Sequence, residues 1–359
     1  MAVEFVGMIG ASYYSETARP GGPAVDLGYL KKFARAYDEG GFDWTLVPYA
    51  SASPEATQLA ATVLGRTERL KVMLAHRPGV VFPTNASRLF ATLDQLSEGR
   101  LGIHFLAGGN DTEQRREGDY LAKDDRYARA GEYIRILRRA WASSEPFDHD
   151  GTYYRFENYS SSVLPVNRGL TVSVGGSSEA AYKLGGEEGD VFGLWGEPLA
   201  ETAQQIASVN AYADAAGRPH PRIWVSFRPI TAATDELAWE RAGRILGGIK
   251  GNYVPKSVNT AAPQNVGSQR LLDVAAKGER HDRALWTPTA SATSGAGSST
   301  ALVGSYETVA KALLDYVDIG CELLSIRGYD PLNDAVDLAR YVLPLVRQEL
   351  AHRREPVHA

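Results

Sequence analysis

The sequence predicts an α/β protein, folded as a single (β/α)8 TIM barrel over residues 1–359 with insertions at its C-terminal mouth. Three observations predict it: eight short apolar runs, helical patterns between them, and over-long segments that follow runs rather than precede them. The runs lie at 3–9, 44–48, 70–75, 101–106, 170–174, 191–195, 223–230 and 323–326. Each is too short for a helix and apolar on both faces, as a buried parallel strand is. Between them, apolar residues at helical spacing predict helices over 27–38, 55–65, 84–96, 126–142, 179–186, 199–215, 235–246, 306–318 and 332–349. Ser53-Pro54 and Pro83-Thr84 mark two starts, because a first-turn proline forfeits no helical hydrogen bond.

Three segments exceed what a connection needs. Residues 108–125 are charged and follow the fourth strand, which places them at the mouth where barrel enzymes build their sites. Residues 143–169, with paired aromatics, form a small hairpin or an irregular excursion, either a structural insert or an oligomer contact. Residues 251–300 end in a Ser/Gly-rich stretch and serve either as a mobile lid or as a linker.

Composition narrows the function classes. Hydrophobic residues make up 44% and charged residues 23%, enough to bury a full core. A formal charge of -5 with scattered arginines offers no stripe for a nucleic-acid backbone. No run approaches the roughly 18 apolar residues of a membrane span, and the start shows no signal-peptide pattern. Cys321 is the lone cysteine, fitting a reducing, cytoplasmic setting; it is a small buried hydrophobe or a nucleophile. The seven histidines are scattered without metal-ligand spacing, so no metal site is expected.

Residues with chemistry cluster at run ends. Leu170 to Ala181 carries an apolar strand into Gly175-Gly176 and then Ser177-Ser178 at a helix start. Bare backbone, two hydroxyls and helix N-terminal amides suit a phosphate, although Ser178 equally suits an ordinary N-cap. Arg126-Tyr127 opens the helix after the mouth segment and is either a phosphate-reaching pair or a surface contact. His104 sits near the end of the fourth strand, as a core histidine or as a ligand or catalytic group. A Gly-x-Gly-x-x-Gly turn after a first strand is missing, so no nicotinamide-binding domain is encoded.

An ordered series of segments resembles one family. Arg19 to Asp26, the segment 83–100 ending Ala91-Thr-Leu-Asp-Gln-Leu-Ser-Glu-Gly-Arg100, Gly175-Gly-Ser-Ser178, Trp195-Gly-Glu-Pro198 and Thr300-Ala-Leu-Val-Gly304 together resemble FMN-dependent alkanesulfonate monooxygenases of the bacterial-luciferase type. The resemblance runs to about residue 346. It implies a luciferase-like barrel that uses reduced FMN (FMNH2) and dioxygen on a small-molecule substrate. It also implies a separate NAD(P)H-dependent flavin reductase and a homodimer or homotetramer. By matched position, the flavin contacts fall on Tyr49, Ala50, His104, Glu113, Arg126, Tyr127, Gly176, Ser177, Ser178 and Trp195. His104, Arg228, Tyr329 and Arg77 take the catalytic positions: the arginines orient substrate, and Tyr329 and His104 serve proton transfer.

Departures from that family redirect the substrate. Ser53, Ser226 and Arg228 stand where the alkanesulfonate enzymes carry Cys, Arg and His, and no arginine stands near Gly295. With Ser298 and Ser299 these changes imply a more neutral polar pocket, for a sulfone, an amine or a natural-product intermediate. The alternatives are a deazaflavin-dependent dehydrogenase and a flavin-binding protein without catalysis.

Overall fold

All eight apolar runs form strands. The computed structural model describes residues 3–19, 21–253, 263–297 and 299–353. In chain order the elements begin with β1 (Glu4–Met8), α1 (Leu27–Glu39), β2 (Trp44–Val47), α2 (Ala56–Leu64), β3 (Lys71–His76), α3 (Pro83–Leu96) and β4 (Leu101–Phe105). Next come α4 (Asp111–Arg116), α5 (Lys123–Ala142), β5 (Phe147–Asp150), β6 (Arg155–Tyr159), β7 (Thr171–Gly175), α6 (Glu179–Glu188), β8 (Val191–Trp195) and α7 (Leu199–Ala215). The series continues with β9 (Arg222–Ala232), α8 (Asp235–Asn252), α9 (Val266–Lys277), β10 (Arg280–His281), β11 (Leu285–Trp286), α10 (Pro288–Ala292) and β12 (Ala301–Ser305). It closes with α11 (Tyr306–Asp318), β13 (Cys321–Ile326), α12 (Pro331–Asp337) and, after a π-helical turn at Leu338–Val342, α13 (Leu343–His352). The fold is a (β/α)8 barrel whose strands are β1 to β4, β7, β8, β9 and β13.

The chain divides into two compact parts. In the part made of residues 44–193 and 205–222, the strand order is β2-β3-β4-β7-β8, all parallel. The register sets His104 of β4 beside Ser173 of β7. Phe90, Phe105, Tyr133 and Trp141, each fully buried, fill the core where α3 and α5 cover these strands. The β5-β6 hairpin packs Phe147, Phe156 and Tyr159 edge to face, and the Tyr159 hydroxyl donates to Thr84 O at 2.8 Å.

In the other part, residues 1–43, 194–204 and 223–359, the parallel order is β12-β9-β13-β1. The long β9 pairs its first half with β13 and its second half with β12. Ala238, Ala242, Ile245 and Ile249 form one buried stripe of α8, four or three residues apart, against Ile230, Trp286, Ala301 and Val303.

Several sequence expectations change. Thr300 to Gly304 is mostly strand β12, whose apolar residues Ala301 to Val303 follow directly on a Ser/Gly-rich stretch that masks them in the sequence. The helix expected over 332–349 is broken: Pro344 lies in the first turn of α13 and lacks the N–H that a continuous α-ladder requires there, so a π-helical turn precedes it. The start marked by Ser53-Pro54 falls slightly later, Pro54 preceding α2 rather than lying in its first turn, and Glu55 caps the helix by accepting from Thr57 N and Gln58 N. The segment 108–125 contains α4, and the segment 251–300 contains α9, α10 and the antiparallel β10-β11 pair. Pro20 and Ser298, named in the resemblance, lie outside the described residues. Cys321 is buried on β13, where burial pushes its thiol up to about 12, and it takes the hydrophobe role. Among the described residues, no helix is long and apolar enough to cross a membrane.

Candidate functional site

The corner between β7 and α6 is shaped by what it lacks. Gly176 turns at φ 139°, and a Cβ there would lie 2.8 Å from the Tyr127 hydroxyl and 2.8 Å from Ala181 Cβ. Ser178 Oγ accepts from Ala181 N at 3.4 Å, so the residue does cap α6. The same hydroxyl is hydrogen-bonded to the Tyr127 phenol, which burial raises and so keeps as a neutral donor. The first amides of α6 have no acceptor within the helix. Bare backbone, two hydroxyls and a helix N-terminus therefore meet in one place, with a cavity of about 550 Å³ beside them. A phosphate monoester fits this chemistry.

Arg126 does not join that corner. Its Nε donates to Ala107 O at 2.9 Å, Nη1 to Leu121 O at 2.6 Å, and Nη2 to Gly108 O at 3.3 Å and Asp111 Oδ1 at 2.9 Å. Four of its five N–H groups are spent clasping the loop around α4, so the expected phosphate pair reduces to Tyr127.

Three other expected residues do meet. Arg77, buried at the end of β3, bonds Glu113 at 3.0 Å through Nη2 and Glu117 through Nη1. The Tyr49 hydroxyl donates to the same Glu117, and the Arg77 guanidinium lies 4.8 Å from the Tyr49 ring centre. Glu113 also accepts from Ser51 N at 3.0 Å, while Ala50 O receives Ser53 N. Glu117 was not anticipated; its only signal is its place in the charged mouth segment. Because two carboxylates oppose one guanidinium, Arg77 is not an uncommitted cation for substrate.

His104 Nδ1 is 2.8 Å from Ser173 Oγ, and a Cβ on Gly175 would press on its ring at 3.0 Å. Burial lowers His104 to about 4, so at pH 7 it is a neutral hydrogen-bonding group and not a cation. His76, 2.9 Å from the Tyr133 hydroxyl, is lowered by burial to about 3. Both folded values lie below the unfolded value of 6.5, so their contribution is complete above 6.5 and is lost as pH falls. We expect urea-unfolding free energy to drop between pH 6.5 and 4 by about 1.4 kcal/mol per pH unit for each histidine at most. His104→Asn should flatten that slope; an unchanged slope would remove His104 from the explanation.

The other compact part carries its own cluster. Glu16, in the loop after β1, accepts from Arg228 Nη1 at 3.0 Å and Nη2 at 2.9 Å, and from Arg327 Nη2 at 3.2 Å. Arg228 also donates to Arg327 O at 2.8 Å and Gly328 O at 3.0 Å, and lies 3.9 Å from the Tyr329 ring centre. Burial alone would raise the Glu16 carboxyl, but Arg228 and then Arg327 outweigh it and hold it well below the usual carboxylate range. Burial, followed by repulsion from Arg228, lowers Arg327. Burial raises the Tyr329 phenol, which stays protonated and bonds Thr289. The expected Arg228 is thus neutralised by Glu16, a partner whose only sequence signal is an acid just past a barrel strand. Trp195 ends β8, and its ring leaves no space for a Cβ on Gly267, 2.8 Å away. Among the described residues no group of three or more His, Cys, Asp or Glu is placed to hold a metal ion.

Comparison with known proteins adds the family. Residues 9–323 match the model described as luciferase-like monooxygenase. This chain belongs to that family. The fold is shared with solved structures of low sequence identity. A riboflavin lyase (RcaE) with modified FMN and riboflavin has a TM-score of 0.81 at 18% identity, over 97% of this chain and 92% of that one. The EDTA monooxygenase (EmoA) from Chelativorans sp. BNC1 has a TM-score of 0.77 at 19% identity, over 97% and 94%. An F420-dependent secondary alcohol dehydrogenase has a TM-score of 0.70 at 17% identity, over 97% and 100%. As a luciferase-like family member the protein is an oxidoreductase, and its relatives in fold include users of two different flavin-type cofactors.

Proposed function

We propose that this luciferase-like protein is a monooxygenase that uses reduced FMN and dioxygen on a small organosulfur or related substrate. The observation that carries the reading is the corner of Gly176, Ser178 and Tyr127, which suits the phosphate of FMN and would be filled by any Cβ at position 176. Ser177 completes the turn, and Tyr49, Ala50, His104 and Glu113 are the proposed surroundings of the ring. Bound reduced FMN supplies the electrons that activate dioxygen for insertion. A separate NAD(P)H-dependent reductase delivers it, consistent with the missing nicotinamide fingerprint.

The residues then have distinct tasks. With phosphate bound, the Tyr127 and Ser178 hydroxyls would exchange their mutual hydrogen bond for donation to the phosphate, and the amides of α6 would add the helix dipole. Neutral His104 orients by hydrogen bonding. Arg77 acts as a positioning residue that fixes Glu113 and Tyr49. In the other part, Arg228 positions Tyr329, whose protonated phenol would serve as a proton donor once it leaves its bond to Thr289. The substitution of Ser53 and Ser226 for more reactive or charged groups favours a neutral polar substrate such as a sulfone or an amine.

Anaerobic titration with reduced FMN, followed by rapid mixing with oxygenated buffer and a panel of sulfones, sulfonates and amines, tests this reading. Saturable binding and oxygen uptake coupled to product are expected for at least one substrate. Reoxidation at the free-flavin rate, with all oxygen released as hydrogen peroxide, would overturn it. Preference for simple alkanesulfonates would overturn the substrate assignment alone.

A further inference from the structure

The cavity beside the phosphate corner carries a second message. It is lined by Tyr127 and Ser178 and continues past Asp124, Glu179 and Glu187, with Arg135 and Lys183 on the same walls. The two cations are already matched: Arg135 lies 3.0 Å from Glu188, and Lys183 lies 4.0 Å from Glu187. Glu179 accepts from the neutral Tyr212 hydroxyl at 2.9 Å, and Asp124 faces the neutral Tyr127 phenol, whose ionisation it disfavours, so neither pairing cancels a carboxylate's charge. The space beyond the phosphate therefore carries negative charge, while the phosphate itself has hydroxyls and helix amides to offset it.

We propose that Asp124 and Glu179 set cofactor length, admitting a flavin that ends at its phosphate and rejecting one whose phosphate continues into a carboxylate-bearing tail. This rests on the flavin reading above. Coenzyme F420, on which one of the proteins of similar fold depends, is chemically such a cofactor: a deazaflavin with a carboxylate-bearing tail beyond its phosphate. A tail carboxylate in this cavity meets three carboxylates, Asp124, Glu179 and Glu187, against two cations that each already face a glutamate, and a net excess of like charge a few ångströms away near a protein surface costs roughly tenfold in affinity or more. Both acids also sit in the first turns of α5 and α6, where they complement the helix dipoles. A merely structural role would make their removal affect stability and leave selectivity unchanged.

The test is anaerobic equilibrium binding of reduced FMN and of reduced F420, read by quenching of the protein's tryptophan fluorescence, to the full chain and to Asp124→Asn/Glu179→Gln, with circular dichroism confirming the fold of both. The expected result is that the native protein prefers FMN by more than tenfold, and that the double variant tightens F420 about tenfold while changing FMN much less. Added salt should also tighten F420 on the native protein by screening the repulsion. FMN binding with equal F420 binding, or an F420 affinity that the variant does not improve, would overturn the proposal alone. Failure of the native protein to bind either cofactor would overturn the flavin reading and the proposal with it.

Discussion

Replacing Glu16 by alanine is expected to destabilise the protein by about 3–5 kcal/mol, the usual cost of stripping one partner from a buried ion pair. The carboxylate is 13% exposed and answers two guanidinium groups, of which Arg228 is only 3% exposed. Without it, two like charges remain together, their repulsion no longer offset, and the loop after β1 loses its tie to β9 and β13. Glu16→Gln keeps the shape and loses the charge, so it should fall between native and alanine. Glu16→Ala/Arg228→Met should recover part of the loss, because the methionine stem still covers Tyr329 and the repulsion between Arg228 and Arg327 is gone, although Arg327 still lacks its carboxylate. The sign with pH follows from the depressed Glu16 value: its contribution is complete above the unfolded value of 4.5 and disappears as pH falls toward the folded one. Glu16→Gln should therefore flatten the acid limb of the stability curve. Urea unfolding read by circular dichroism measures all of this; a loss below about 1 kcal/mol for alanine would place the cluster among weak surface pairs.

The largest expected effect on ligand affinity belongs to Tyr127→Phe/Ser178→Ala. On the proposed reading each hydroxyl donates to a charged phosphate, a bond worth about 1.5–3 kcal/mol, in exchange for the neutral bond the two make with each other, so the pair should weaken binding of reduced FMN by roughly 10²- to 10³-fold. Because Ser178 also caps α6, part of the change will appear as lost stability, about 1 kcal/mol for a missing cap. Tyr127→Phe alone separates the two, since it spares the cap. Anaerobic titration with reduced FMN, read by quenching of tryptophan fluorescence, gives the affinities, and a double variant within threefold of native would remove these residues from phosphate binding.

How much was legible depended on the range of the interactions. Barrel strands announced themselves because each carries its own apolar run, whereas β12, Ala-Leu-Val-Gly-Ser, has only three apolar residues in a row and follows a Ser/Gly-rich stretch that masks it. The β7-α6 corner was legible because glycines, hydroxyls and helix start lie within four residues, from Gly175 to Ser178. Glu16 was not, because its partner Arg228 is 212 positions away. Glu117 binds Arg77 across 40 positions and Tyr49 across 68, again without local trace. Arg126 illustrates a different limit: residue type and helix position identify a guanidinium near the site, yet the loop carbonyls it satisfies decide which way it points.

The central claim is that this chain holds a reduced flavin by its phosphate at Gly176, Ser178 and Tyr127. Anaerobic titration of the native protein with reduced FMN and, separately, reduced riboflavin isolates that phosphate, since the two ligands share ring and ribityl chain. Reduced FMN is expected to bind at least a hundredfold more tightly, with the advantage mostly lost in Tyr127→Phe/Ser178→Ala. Equal affinity for the two ligands in the native protein would contradict the claim.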